Sequence, residues 1–214
     1  MKKPVVSNYE LQCDQWRQRF LAMDQGALLR RLPELKVEGD YLTLRHFGRR
    51  LGVHRREGSV VAPDDAEPVS VNTRLNVYTL FHYCRDGARR TGEWLPFTQL
   101  KGASPFGPAF QKTVTEVFAA TFSGRTEALK DAFRRMGGVR LPVSDVGFEV
   151  KGFECIPVRF HFWDGDDEFP AQANLLFDRS ATDFIHVESV VTIASEGVLR
   201  LAKLAGVTLR SGTF

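Results

Sequence analysis

The chain is 214 residues long, 43% hydrophobic and 26% charged, a balance that excludes a disordered or membrane-embedded polypeptide and fits a globular one. Its 29 Lys and Arg against 26 Asp and Glu leave a formal net charge of +3, short of the concentrated positive charge of a dedicated nucleic-acid binder, so nucleic acid is not expected as a partner. The 17 Phe residues predict a core built on aromatic rings, each contributing about 2 to 3 kcal/mol when fully buried.

In chain order, Met1, Lys2 and Lys3 are not followed by the apolar run of an export signal. Ser7 and Glu10 have the spacing of a capping box. Tyr9, Cys13, Trp16, Phe20 and Met23 then recur at helical spacing, which predicts a helical region closed by Pro33. From Leu35 the period drops to two. Leu35/Val37, Leu42/Leu44 and Leu51/Val53 predict a small antiparallel meander, with turns at Glu38-Gly39-Asp40, Gly48 and Glu57-Gly58. Residues 63–68, rich in Asp and Pro, read as a loop. They also bound a small N-terminal subdomain, residues 1–62, inside a chain expected to fold as a single domain over residues 1–214.

A second helix is predicted over residues 71–85, with Leu75, Val77, Leu80, Phe81 and Cys84 inward and Gly87 as its stop. Residues 92–100 read as an extended segment carrying Trp94, Pro96 and Phe97. Phe110, Val114, Val117, Phe118 and Thr121 mark one helix face, and Leu129, Phe133 and Met136 the next. Gly137-Gly138 closes the latter, with Arg134 and Arg135 in its last turn. Ile156, Val158, Phe160 and Phe162 alternate with Pro157, Arg159, His161 and Trp163, a strand with one buried face, and residues 172–177 are its hairpin partner. Val187, Val190, Val191, Ala194, Val198, Leu201 and Ala205 form the apolar stripe of a long helix able to cover the sheet. The expected class is α+β, an antiparallel sheet with a Phe-rich C-terminal hairpin packed against several helices.

The apolar run 187–194 is broken by Glu188, Ser189 and Thr192 and falls short of the roughly 20 residues of a membrane span. Cys13, Cys84 and Cys155 are odd in number and widely spaced, so neither a disulfide framework nor a metal cluster follows. A cytoplasmic location is expected.

The most distinctive local feature is Trp163-Asp164-Gly165-Asp166-Asp167-Glu168-Phe169-Pro170, four carboxylates between two strands. Three readings are open. The acids are solvated or cap nearby amides in a turn; they hold a divalent cation, with Asp164, Asp166, Asp167, Glu168 and Asp178 as oxygen ligands; or Asp166 or Glu168 works with His161 as a catalytic acid/base pair. The loop is no calcium-binding match, since Phe169 stands where Gly is required and Leu175 where the bidentate Glu belongs. Strand parity puts Arg159, His161 and Trp163 on the face opposite the Phe core, with Asn174 near them on the partner strand. Together with His186 and Glu188 at the start of the last helix, Arg159, Trp163 and Asn174 are the candidate ligand-binding residues. Nucleophile elbows, phosphate loops and dinucleotide fingerprints are absent from the sequence. The basic runs Arg49-Arg50, His54-Arg55-Arg56, Arg89-Arg90 and Arg134-Arg135 read as solvated faces.

Gly92-Glu93-Trp94-Leu95-Pro96-Phe97, the Gly137-Gly138 stop, and the run from Ile156-Pro157 through the acidic hairpin to Asn174-Leu175-Leu176-Phe177-Asp178 resemble an uncharacterised bacterial and archaeal family, domain of unknown function 3786, over residues 35–204. The resemblance brings no established activity and no catalytic residues. It implies a redox or metabolic setting, because some relatives are joined to an iron-sulfur domain of the kind found in corrinoid and one-carbon proteins of anaerobes. This chain has no cysteine cluster for such a centre. The function expected is a small-ligand or divalent-metal-binding accessory protein of intracellular metabolism, with a small molecule or a protein as partner and no membrane. The alternatives are an enzyme, which requires a concave pocket, and a protein-interaction module, which requires an exposed apolar patch.

Overall fold

The computed structural model describes residues 8–210, so the Ser7 half of the expected capping box lies outside the described residues. The first helical region is two helices, α1 (Asn8–Leu21) and α2 (Gln25–Arg31). The break has a local cause. Asp24 caps α2, its Oδ1 accepting from the amides of Gly26 at 2.8 Å and Ala27 at 3.0 Å, and an N-cap residue must leave helical geometry.

The meander follows as β1 (Lys36–Glu38), β2 (Tyr41–His46), β3 (Arg49–His54) and β4 (Val60–Val61), antiparallel and paired in that order. Gly39, Gly48 and Gly58 all take positive φ at its turns. The β2–β3 loop, two residues long like the β1–β2 loop, pairs His46 with Arg49 and puts both loop residues at positive φ, Phe47 at 47° and Gly48 at 75°. Two positive φ values make a primed turn that matches the strand twist. Phenylalanine is strained there, so something outside the turn must hold it. Its amide donates to Gly152 O at 3.1 Å, and its ring, 2% exposed, fills a slot that Gly152 and Gly197 leave open.

Next comes α3 (Val71–Tyr83), N-capped by Ser70 and shorter than expected because Cys84 already leaves helical geometry. After it, β5 (Trp94–Pro96) is extended, but Phe97 begins a 3-10 turn, so the extended segment ends earlier than the sequence suggests. The helix marked by Phe110 and Val114 is composite: α4 (Gly107–Phe110), a π-helical turn at Gln111–Thr115, and α5 (Glu116–Phe122). It leads to α6 (Thr126–Arg135), stopped by Gly137 at φ 73°.

The second sheet holds β6 (Val139–Arg140), β7 (Val146–Phe153), β8 (Ile156–Trp163) and β9 (Gln172–Asp178). Among the described residues its order is β5-β9-β8-β7-β6, every neighbour antiparallel. The single-turn helix α7 (Ala181–Phe184) leads to α8 (Val187–Ala205), which packs on α3, α6 and β7. The inner face of this sheet is the Phe core. Phe133 stacks on Phe148 at 4.7 Å between centroids, and Phe118 meets Phe160 edge-on at 5.6 Å, geometries that favour ring quadrupoles. Buried side chains of the meander, Leu42 and Leu51 among them, belong to the same cluster as Phe160 and Leu201.

Candidate functional site

The register of the second sheet gathers part of the expected polar face. Across from Arg159, His161 and Trp163 on β8 stand Leu176, Asn174 and Gln172 on β9, and Glu149 and Gly147 face Arg159 and His161 from β7. Arg159 is already engaged: its Nε donates to Glu149 at 3.0 Å, and its guanidinium lies 3.9 Å above the Trp94 ring. Burial, with the Arg159 charge, pushes the His161 imidazole below its ordinary range, which favours the neutral ring.

The carboxylates of the hairpin do not converge. Asp164 Oδ1 accepts from the amides of Gly124 at 2.8 Å and Gly165 at 2.9 Å, and Asp166 Oδ1 accepts from those of Phe169 at 2.8 Å and Glu168 at 2.9 Å. Those last two bonds hold Asp166 below the usual carboxylate range. Asp167 and Glu168 are exposed. Asp178 stands at the other end of β9, six residues from Gln172, or about 20 Å along a strand. It is 1% exposed, and its oxygens accept from Thr91 N and Oγ1, Gly92 N, and Ser180 N and Oγ, all at 2.7 to 3.0 Å. Burial pushes this carboxyl up, and the hydrogen bonds from Ser180 and Thr91 outweigh it, holding the group well below the usual range. Asp178 therefore ties the chain around β5 and α7 together and is no companion of the hairpin acids. Among the described residues no three His, Cys, Asp or Glu side chains gather as metal ligands, so the expected five-carboxylate set is not assembled. His186 and Glu188 are also elsewhere: His186 caps α8 by accepting from Glu188 N at 3.3 Å, and its ring lies 5.3 Å from Tyr83 at the end of α3.

A different cluster is brought together by the fold. A cavity of about 50 Å³ lies where the β2–β3 turn, the 63–68 loop, the start of α3 and the end of α8 meet, lined by His46, Arg49, Glu67, Thr73, Glu196 and Arg200 among others. The Phe47 plug positions His46, which stacks on Phe153 at 4.5 Å and is 5% exposed. His46 Nδ1 lies 2.7 Å from Gly152 O. A carbonyl only accepts, so Nδ1 carries the proton and Nε2 is left as a bare acceptor. Nε2 is buried and has no hydrogen-bond partner among the described residues. Burial pulls this imidazole down to about 4, so the ring is neutral at pH 7.

Around it, Ser70 and Thr73 at the head of α3 donate to Glu196 Oε2 at 3.1 and 2.8 Å. Arg49 grips Asp65 with two bonds of 2.9 and 2.6 Å and also donates to the Glu67 carbonyl. Arg200 donates to Glu67 Oε2 at 3.3 Å, and Lys203 to Oε1. The acidic loop is thus strapped over the cavity by cations from β3 and α8. Arg200 Nε is buried and, like His46 Nε2, has no partner among the described residues. None of these residues was singled out as a site in the sequence except Arg49, read as part of a solvated basic run. Glu196, Arg200 and Lys203 lie outside the apolar stripe by which the sequence marks α8, and the one local signal available is that Glu196 and Arg200, one turn apart, share a helix face.

The match to known proteins covers this region. A family model described as Domain of unknown function (DUF3786) matches residues 28–200. The chain belongs to this family. The DUF3786 match runs from α2 through both sheets into α8 and includes every cavity residue except Lys203. No curated protein and no solved structure matches the chain. Among the described residues no helix is long and apolar enough to cross a membrane.

Proposed function

We propose that this DUF3786 protein binds a small polar molecule in the cavity beside His46. One observation carries the reading: a buried imidazole nitrogen without a partner among the described residues, on a residue that lines a cavity with room for several non-hydrogen atoms. An unsatisfied buried acceptor costs about 1 to 3 kcal/mol, and a native fold keeps such a group where a ligand or water completes it. A single imidazole with carboxylates already bonded to hydroxyls and cations is a poor cage for a hard divalent ion, which wants six or more oxygens. The reading retains a single-domain cytoplasmic protein whose partner is a small molecule, and moves its site from the acidic hairpin to the junction of the two sheets.

High-resolution crystallography of protein purified without added small molecules tests it. Density larger than water within hydrogen-bond reach of His46 Nε2 supports the proposal. A cavity closed by side chains, with Nε2 bonded to a protein group, would remove it.

A further inference from the structure

Resting on the binding reading above, we infer that the ligand is a small neutral molecule that both donates and accepts hydrogen bonds, such as a carboxamide or diol, and not an anion or an ammonium ion.

The polarity of the ligand follows from two unpartnered atoms on residues that line the same space. His46 Nε2 is an acceptor and demands a donor; Arg200 Nε is a donor and demands an acceptor. A carboxylate or an ionised phosphate monoester carries no proton for Nε2, and any anion places negative charge against its lone pair. Its charge follows from the surrounding ions. Arg49 is paired with Asp65, and Arg200 and Lys203 share Glu67. Glu196, held by the hydroxyls of Ser70 and Thr73, brings the carboxylates level with the cations at three each. An anionic ligand has to displace Glu67 from its cations, and an ammonium ion has to enter beside Arg49, Arg200 and Lys203. A neutral amide or diol does neither, and its carbon atoms meet the apolar wall of Phe47, Leu51, Pro68 and Leu199.

The test titrates acetamide, ethylene glycol, acetate and ethylammonium separately into the full chain. It follows the melting temperature and the nitrogen chemical shift of His46 Nε2. A neutral compound is expected to raise the melting temperature by about 3 °C at a tenfold excess over its Kd, and to shift Nε2 as its lone pair becomes hydrogen-bonded. The two charged compounds are expected to do neither. Both effects should vanish in His46→Phe, and Arg200→Met should weaken binding about tenfold, one lost hydrogen bond. If His46→Phe fails to fold, the Nε2 signal of the unaltered chain and the Arg200→Met variant still decide. Acetate or ethylammonium binding through His46 in place of the neutral compounds overturns the ligand class and leaves the site standing. No response at Nε2 to any of the four, with the crystal cavity holding water only, overturns both.

Discussion

His46 concentrates the residue-scale argument, because an imidazole held neutral by burial has a measurable pH signature. The unfolded chain takes up a proton near the ordinary value of 6.5, whereas the folded chain refuses it until about 4. Between those values the unfolded state binds more protons, so stability falls as pH falls and is level above about pH 7. The loss is on the order of 3 kcal/mol by pH 4. Chemical denaturation at pH 7 and pH 4.5 should show that difference shrinking in His46→Phe, and the His46 ring proton should titrate near 4. Asp178 and the other aspartates held low add to the acid loss mainly below their ordinary value of 3.8, and Glu38 and Glu67 below 4.5. His82 and His161, also pushed down by burial, share the upper part of the window, so the His46→Phe difference is what isolates His46. Asp178 makes its own case. Replacing it with Asn, even with the amide oxygen kept at the Oδ1 position, puts an N–H₂ against the Gly92 amide and removes the charge that the four donors on Oδ1 bond, and Asp178→Asn is expected to lower stability by about 2 to 4 kcal/mol in a urea melt. Such a carboxylate was legible in the sequence as an unusual acid, but its job was not. A ligand set and a backbone clamp look identical until the donors around the oxygens are known.

At the scale of elements, periodicity predicted β2, β3, β8, β9 and α8 closely, because each has a more buried and a wetter face, whereas β1 is exposed throughout and Val37, expected to alternate with buried neighbours, faces solvent. Periodicity failed where both faces are occupied or the period drifts. The alternation of Val146, Phe148 and Val150 marks β7 in hindsight, yet Gly147 and Gly152 weaken it as a strand signal. Gly147 is there because a Cβ would lie 2.5 Å from Val143 O, a tertiary constraint. Phe110, Val114, Phe118 and Phe122 recur every four residues and are all buried. An α-helix would rotate that series off the sheet at 3.6 residues per turn, and the π turn at Gln111–Thr115 absorbs the drift. On α3 a polar strip of Ser70, Thr73 and Thr79 bonds to Glu196 and Ser189 of α8, which is why that helix shows no clean amphipathic stripe. Gly197 on α8 gives the sharpest element-scale prediction. A Cβ there would sit 2.7 Å from the Phe47 ring and 3.0 Å from Phe160. Although alanine is the better helix former, Gly197→Ala should destabilise by about 1 to 3 kcal/mol through overpacking. Hydrogen exchange of the Phe47 amide should accelerate in it as the β2–β3 turn is released.

For the whole molecule, the question is whether the meander acts apart from the rest. Its buried residues join the Phe core, and the Phe47 amide and the cations on Glu67 cross the junction. We expect one cooperative transition, with far-ultraviolet circular dichroism and tryptophan fluorescence giving coincident midpoints. Two separated midpoints would restore an independent subdomain over residues 1–62. The sequence by itself determined the α+β class, the aromatic core, the family and the bounds of β8, β9 and α8, because those depend on the local period of apolar residues and on turn chemistry. Only the tertiary structure decided that the hairpin acids stay apart and that His46, Arg49, Glu67, Glu196 and Arg200 meet. Their meeting depends on a strained turn, two missing Cβ atoms and a loop clasped by ion pairs, long-range contacts between four segments that leave no period in any one of them.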